Sequence, residues 1–178
     1  MEKNRQGLLH IYCGDGKGKT SAAVGMAVRA AGCGMKVLVI RFLKTENSGE
    51  VEVLRSIPGI TVTPCDRTFG FVFRMTDEQK QEAALYYQSR FEAAAEEAVQ
   101  GQYDLLILDE ILASCNYGMV RETSVVEFLQ NRPEKLEVVL TGRNPSETFL
   151  ELADYVSEIC MRRHPYEKGI PARRGIEF

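Results

Sequence analysis

Six short apolar runs, separated by longer helical patterns, restrict the possible folds of this 178-residue chain more than any other feature. Several of the runs lack the in-out alternation of a half-exposed strand, and continuous apolar strands are typical of parallel sheets covered on both faces. The pattern therefore predicts an α/β fold with three layers and a mainly parallel six-stranded sheet. The predicted strands are 8–13, 36–42, 60–64, 103–109, 137–141 and 155–161.

Capping and stop signals predict helices between these strands. An Ala-rich stretch that begins at Lys19 ends at Gly32, a residue type that commonly stops helices. Thr76 followed three positions later by Gln79 forms a capping box, which should start the longest helix. The predicted helices are 19–31, 76–99, 122–130 and 146–153. Three further segments lack a regular pattern and are expected to be loops or an irregular tail: 45–49, 65–75 and 162–178.

Length and charge limit the possible classes of protein. A chain of 178 residues fits a single domain, 1–178. A net charge of -3 offers no overall basic surface for nucleic acid or an anionic membrane, and no apolar run approaches the ~20 residues that span a bilayer. Five scattered cysteines form no C-x-x-C pair, so we expect mostly buried, reduced thiols. These features predict a soluble cytoplasmic protein.

A glycine-rich run joins the first predicted strand to the first helix. It consists of Gly14, Asp15, Gly16, Lys17, Gly18, Lys19, Thr20 and Ser21. Glycines let successive N–H groups point at a phosphate, and the N-terminus of the following helix adds its positive dipole. Lys19 can then reach terminal phosphate oxygens, while the Thr20 hydroxyl can ligate Mg²⁺. The run predicts a binding site for a nucleoside triphosphate.

The run is a variant of the common phosphate-binding pattern G-x-x-x-x-G-K-[ST]. The first glycine of that pattern would fall on Cys13. The dinucleotide fingerprint G-x-G-x-x-G is excluded, because its third glycine would fall on Lys19. A flexible glycine loop with solvated lysines is the plain alternative, and the flanking strand and helix argue against it.

Two consecutive carboxylates, Asp109 and Glu110, follow the fourth apolar run. In P-loop proteins an acid at the end of a neighbouring strand helps to hold Mg²⁺ near the threonine hydroxyl. Such carboxylates can also cap the next helix, although the nearby glycine run favours the metal interpretation.

Arg143 follows the fifth run at the same predicted edge, where it could bind phosphate or pair on the surface with Glu147.

Four motifs together resemble the P-loop type of ATP:corrinoid adenosyltransferase (the cob(I)alamin adenosyltransferase family), and the resemblance covers nearly the whole chain. The family patterns are G-N-G-K-G-K-T-[TS]-A, [LI]-D-E, T-G-R and a closing G-I-[ED]-[FYW]. They match residues 14–22, 108–110, 141–143 and 175–178, with Asp15 in place of the family's Asn. The resemblance implies a RecA-like P-loop fold and usually a homodimer.

The resemblance also implies a reaction, in which the 5′-deoxyadenosyl group of ATP moves to cobalt(I) of a reduced corrinoid and inorganic triphosphate leaves. Cobalt(I) is itself the nucleophile, so the protein's task is to position the reactants and stabilise the leaving group. The implied roles are Lys19 on the triphosphate, Thr20 with Glu110 and Asp109 on Mg²⁺, and Arg143 in support. A flavin or flavodoxin-type donor would supply electrons.

An aromatic segment receives a role from the same resemblance. The family's G-F-[TS]-W stretch corresponds to Gly70-Phe71-Val72-Phe73, with Phe73 in place of Trp. Its aromatic side chains displace the lower axial ligand of a cobalt(II) corrinoid, which eases reduction to cobalt(I). Taken without the resemblance, the spacing of Phe69, Phe71 and Phe73 favours a short core strand.

Two other functions fit the glycine run. A P-loop ATPase or small-molecule kinase would use Glu110 to orient water or an acceptor hydroxyl and would release ADP. A non-catalytic binding module gated by ATP would show no turnover. The reaction products distinguish all three.

Overall fold

Six strands form one sheet in the computed structural model, which describes residues 5–70 and 72–177. The strands are β1 (Leu9–Cys13), β2 (Val37–Arg41), β3 (Ile60–Val62), β4 (Leu105–Asp109), β5 (Glu137–Thr141) and β6 (Tyr155–Glu158). Their order is β3-β2-β4-β5-β1-β6, and every adjacent pair is parallel. The predicted sheet is confirmed, and its strands are up to three residues shorter than predicted.

The structure contains all four predicted helices and two more. The helices are α1 (Lys19–Gly32), α2 (Glu50–Ser56), α3 (Asp77–Gln100), α4 (Ile111–Asn116), α5 (Glu122–Asn131) and α6 (Glu147–Leu152). The sequence analysis missed α2 and α4, which have seven and six residues and are too short to show a clear helical period. The expected irregular tail contains a 3₁₀ turn at Pro165–Lys168. None of the described helices combines the length and apolarity needed to cross a membrane.

Two apolar cores lie on opposite faces of the sheet. Leu106 and Leu108 of β4 join the core beneath α3, α5 and α6, whereas Leu105 and Ile107 join the core beneath α1 and α2. Every residue of β4 is therefore buried, which explains why this strand reads as a continuous apolar run. The predicted three-layer arrangement is confirmed.

Two predicted helix starts are confirmed by side-chain caps. The Thr76 hydroxyl accepts the Gln79 N–H at 3.2 Å, and the Gln79 side chain accepts the Thr76 N–H at 2.9 Å. Ser146 accepts the Phe149 N–H at the start of α6. The capping box fixes the point at which the aromatic segment ends and α3 begins.

The cysteines agree only in part with the sequence analysis. All five are free thiols. Cys13 and Cys65 are buried, whereas Cys33 and Cys160 are exposed and Cys115 lies between these classes. The expectation that most of them are buried is therefore wrong, because Cys33 lies in the turn after α1 and Cys160 in the irregular segment after β6.

All six strands run in one direction, so their carboxyl ends meet along one edge of the sheet. Strand β5 lies between β1 and β4, so its last residue, Thr141, separates the glycine run from Asp109. Open α/β sheets bind their ligands at this edge. The edge is therefore where a functional site is expected.

Replacement of Thr76 by Ala should destabilise the protein, because it leaves the first turn of α3 without its reciprocal cap. We expect a loss of about 1 kcal/mol in the free energy of unfolding, measured by urea denaturation. The matched control is Thr148→Ala, the same change at an exposed position inside α6. Equal losses in the two variants would contradict a role for the cap.

Candidate nucleotide and metal site

The glycine run forms a tight turn from β1 into α1. Gly14 and Gly18 have φ angles of 103° and 123°, a region that residues with a Cβ rarely occupy. Gly18 is the N-cap of α1, and the helix begins at Lys19. The run therefore leads directly into a helix N-terminus, which is the arrangement that favours phosphate.

The glycine run packs against the backbone that follows β6. The Gly16 N–H donates to the Ile159 carbonyl at 2.7 Å, and a Cβ on Gly16 would lie 2.6 Å from that oxygen. The Met161 N–H donates to the Asp15 side chain at 2.8 Å. This support was missed by the sequence analysis, because no sequence motif marks a backbone-to-backbone contact.

Lys19 lies under the turn with 8% of its surface exposed. Its ammonium donates to the Gly16 carbonyl at 2.9 Å. Burial lowers the pKa of Lys19, while the nearby Glu110 charge acts in the opposite direction. A triphosphate bound in the turn would accept a hydrogen bond from this ammonium in place of the Gly16 carbonyl. It would also give the ammonium a fully charged partner.

Asp109 joins three structural elements through one carboxylate oxygen. Both the Thr20 and Thr141 hydroxyls donate to its Oδ1, at 2.9 and 2.7 Å. Asp109 is 2% exposed, so these bonds offset part of the cost of removing its charge from water. The structure thus brings two predicted metal ligands, Thr20 and Asp109, together. Thr141 was missed as a site residue, although it opens the T-G-R motif.

Lys44 completes this cluster and was also missed by the sequence analysis. Its ammonium lies 2.6 Å from Asp109 Oδ2 and 2.8 Å from the Thr20 hydroxyl. The preceding residue, Leu43, has a φ of 52°, which is a backbone outlier for a bulky side chain. Such outliers cluster at functional sites, because the surrounding structure must hold them in place.

An arginine-carboxylate network fixes the loop that carries Lys44. The buried Arg41 side chain donates to the Thr45 carbonyl at 2.9 Å and to Glu46 at 2.8 Å. Glu46 also accepts hydrogen bonds from Arg55 and from the Cys65 N–H. Burial opposes the charged form of Glu46, but these donors outweigh it and lower the pKa of this carboxyl.

Glu110 adopts a left-handed backbone conformation, with a φ of 63°, at the N-cap of α4. Its N–H donates to the Thr141 hydroxyl at 2.8 Å. Within the described structure its side chain makes no capping hydrogen bond, so the helix-capping interpretation is wrong. Burial, followed by the charge of Asp109, raises the pKa of Glu110, and a bound cation would offset both effects.

Arg143 extends along the surface beside the glycine run. Its guanidinium lies 3.5 Å from the Asp15 carbonyl. Among the ion pairs of the described residues there is none between Arg143 and Glu147, so that surface pair is not formed. The side chain is exposed, and it is free to turn toward an anion in the turn.

The oxygen donors at this edge suit Mg²⁺ bound together with phosphate. Residues 5–70 and 72–177 contain no group of three or more His, Cys, Asp or Glu side chains placed to hold a metal alone. The Thr20 hydroxyl and the Asp109 and Glu110 carboxylates are instead hard oxygen donors on one side of the turn. Mg²⁺ is usually held by one or two carboxylates, with substrate phosphates and water completing its octahedron.

The aromatic segment is anchored at one end and exposed at the other. Phe69 packs against Tyr86 and Tyr87 of α3, with ring centroids 5.5 and 5.7 Å apart. Phe73 lies in a one-turn 3₁₀ helix and is 77% exposed. The described part of the segment forms no strand, so the core-strand alternative is wrong. Phe71 lies outside the described residues.

A glycine turn between a parallel strand and a helix, with the hydrogen-bonded Thr20 and Asp109 beside it, defines a P-loop nucleotide-binding protein. Within that class the chain belongs to the family described as "ATP:corrinoid adenosyltransferase BtuR/CobO/CobP", whose family model matches residues 5–178. Membership of this family supports ATP-dependent transfer of an adenosyl group to a corrinoid.

Relatives of similar length carry the same description. The chain is 33% identical to a corrinoid adenosyltransferase of Pseudomonas aeruginosa, with 99% of this chain and 86% of the relative covered. It is 32% identical to one of Escherichia coli and 30% identical to one of Salmonella typhimurium. Each of those two comparisons covers 99% of this chain and 88% of the relative.

Solved structures support the fold alone. A KaiC-like protein of Pyrococcus horikoshii superposes with a TM-score of 0.50 at 14% identity, covering 89% of this chain and 75% of that one. The cytoplasmic domain of EssC gives 0.51 at 16% identity, covering 97% and 37%. Both place the chain among P-loop NTPase folds, as the sequence analysis predicted.

Replacement of Gly16 by Ala should weaken nucleotide binding, because its new Cβ would meet the backbone at residues 159 and 160 at 2.6–3.0 Å. We expect a loss of about tenfold or more in affinity for a fluorescent ATP analogue, since the amides of the turn must shift. Gly25→Ala is the matched control, because that glycine lies in α1 with open space around it. Unchanged affinity in the Gly16 variant would show that the contact is dispensable.

Proposed function

We propose that the protein transfers the 5′-deoxyadenosyl group of ATP to cobalt(I) of a reduced corrinoid and releases inorganic triphosphate. The observation that carries the proposal is the cluster of Lys19, Thr20 and Asp109 at the end of a phosphate-binding turn, in a chain of this family. In this proposal residues 1–178 form a single adenosyltransferase domain.

The reaction needs charge stabilisation more than proton transfer. Cobalt(I) supplies the electron pair for the new cobalt–carbon bond, and the bond between C5′ and its phosphate oxygen breaks. The triphosphate leaves with the electron pair of the broken C5′–O bond. Groups that neutralise the triphosphate therefore lower the barrier, whereas a side-chain nucleophile or general base is not required.

The residues of the turn supply this stabilisation. In the proposal Lys19 and the turn formed by residues 14–21 bind the triphosphate, and Arg143 turns in from the surface to assist. Thr20, Asp109 and Glu110 hold Mg²⁺, which adds positive charge to the departing oxygens. The Thr20–Asp109 hydrogen bond at 2.9 Å supports this assignment, because it orients both groups toward one point.

The aromatic segment would form the corrinoid side of the site. Phe69 fixes the segment to α3, while the exposed Phe73 ring can cover an apolar ligand. Phe71 and Phe73 would exclude the lower axial ligand of cobalt(II), although Phe73 fills less volume than the family's Trp. Phe71 enters this proposal from the resemblance alone.

The remaining features of the proposal rest on the family pattern. The enzyme would act as a homodimer in the cytoplasm and accept electrons from a flavin or flavodoxin-type donor. Nucleic acid would not be a partner, in keeping with a net charge of -3.

Product analysis tests the proposed reaction. With ATP, Mg²⁺ and cobalt(I) corrinoid under anaerobic conditions, we expect a cobalt–carbon bond in the absorption spectrum and one inorganic triphosphate for each bond. Triphosphate should not appear without the corrinoid. Release of ADP in the absence of corrinoid would instead support an ATPase or kinase, and the absence of any turnover would support a binding module.

Lys19→Ala and Thr20→Ala should nearly abolish this activity with little loss of folding. Removal of one charge-stabilising donor typically costs about a hundred- to a thousand-fold in rate. Cobalt–carbon bond formation measures the rate, and circular dichroism checks the fold. Lys80→Ala, at an exposed position of α3, is the control for a lost lysine. Wild-type turnover in either test variant would refute the assignment of the phosphate site.

Phe73→Ala should impair adenosylation of a cobalt(II) substrate far more than that of cobalt(I) reduced beforehand. The reason is that ring exclusion acts on the reduction step, which the second assay omits. We expect a difference of about tenfold or more between the two rate losses. Leu85→Ala is the control, because Leu85 is also a large exposed apolar side chain. Equal losses in both assays would indicate a packing role only.

A further inference from the structure

The Lys44 ammonium contacts two of the three proposed metal ligands. It contacts the Thr20 hydroxyl at 2.8 Å and Asp109 Oδ2 at 2.6 Å. Mg²⁺ bound by the same two groups would sit about 2.0–2.1 Å from each oxygen. The ammonium and a metal ion would then lie within a few ångströms of each other, where their positive charges repel strongly.

We propose that Lys44 is an internal counter-ion that holds the metal position in the nucleotide-free protein. When Mg²⁺ arrives with the triphosphate, the metal displaces the ammonium from Thr20 and Asp109. Lys44 then pairs with the incoming phosphate oxygens. This inference rests on the proposed function in one respect, namely that the metal enters with ATP.

The buried carboxylate of Asp109 explains why a counter-ion is needed. Thr20 and Thr141 both donate to its Oδ1, whereas among the described residues Lys44 is the cation that contacts Oδ2. A carboxylate that is 2% exposed and lacks a positive partner carries a large desolvation cost. Lys44 therefore stabilises the carboxylate until a metal ion replaces it.

The loop around Lys44 is fixed, so the movable part is the side chain itself. Leu43 is held at a φ of 52°, and Arg41 binds the Thr45 carbonyl just beyond Lys44. Lysine has a flexible four-carbon stem with a compact charge at its tip. The ammonium can therefore swing from the carboxylate to a phosphate without movement of the backbone.

The Lys44 ammonium lies within reach of a triphosphate bound in the turn, because it already contacts Thr20 in the first turn of α1. The Lys44 side chain is 22% exposed and so borders the open side of the turn. A triphosphate there would offer it several oxygens in exchange for one carboxylate.

This arrangement makes metal binding conditional on nucleotide. Free Mg²⁺ must break the ion pair of Lys44 without offering the ammonium another partner. Mg²⁺ that arrives with ATP supplies both the replacement cation for Asp109 and a new anion for Lys44. The protein should therefore bind the metal alone weakly and the metal–nucleotide complex well.

Titration with Mn²⁺ alone, followed by the electron paramagnetic resonance of the unbound ion, tests the inference without nucleotide or corrinoid. We expect Lys44→Met to bind Mn²⁺ about tenfold or more tightly than the wild type does, because the competing charge is gone. Lys44→Arg keeps the charge and should exclude Mn²⁺ as the wild type does. Lys80→Met is the control for the same substitution at an exposed site.

A second titration tests the other half of the exchange. Inorganic triphosphate without metal should bind to Lys44→Met about tenfold more weakly than to the wild type, because one phosphate partner is missing. If Lys44→Met does not fold, Lys44→Gln replaces it in both titrations. Mn²⁺ affinity equal to that of the wild type in the folded variant would overturn the inference.

The two proposals fail in distinguishable ways. If wild-type protein forms no cobalt–carbon bond but Lys44→Met gains Mn²⁺ affinity, the proposed function is wrong and the counter-ion stands. If adenosylation proceeds and the Mn²⁺ affinity does not change, the counter-ion is wrong and the proposed function stands.

Discussion

The hydrogen bonds to a single carboxylate oxygen of Asp109 hold the site together. Through Oδ1 this residue connects the end of β4 to the end of β5 and to the first turn of α1. These elements belong to different parts of the chain. Because the carboxylate is buried, the hydroxyl positions are fixed by electrostatics as well as by shape. The positions of Thr20, Thr141 and Asp109 relative to one another are therefore fixed without a bound ligand.

The order of the strands makes this connection possible. Strand β5 separates β1 from β4, so the phosphate-binding turn and the acidic strand end are two strands apart. Thr141 fills that gap, with its hydroxyl accepting from the Glu110 N–H and donating to Asp109. One threonine thus fixes both the left-handed backbone of Glu110 and the carboxylate before it. Thr141, on the strand between them, thus adds a second hydrogen bond to the direct one between Thr20 and Asp109.

Local patterns in the sequence predicted the features that depend on local physics. The sheet, the glycine turn and the capping box at Thr76 each follow from residues close together in the chain, and the structure confirms them. Lys44 could not be predicted, because its role arises from a left-handed Leu43 and a partner 65 positions away. Thr141 was missed for a similar reason, since nothing in the T-G-R motif predicts that its hydroxyl lies beside Asp109, 32 positions earlier in the chain. Helices α2 and α4 were not predicted, because two helical turns are too few to show a helical period in the sequence.

Strand β6 illustrates how a marginal element can become indispensable. Its four residues are all exposed, so it adds almost nothing to either apolar core. The backbone immediately after it nevertheless forms the wall against which Gly14 and Gly16 rest. A chain shortened before residue 159 could retain both apolar cores and still bind a nucleotide more weakly. Selection on this outermost strand would then act through ligand capture rather than through folding.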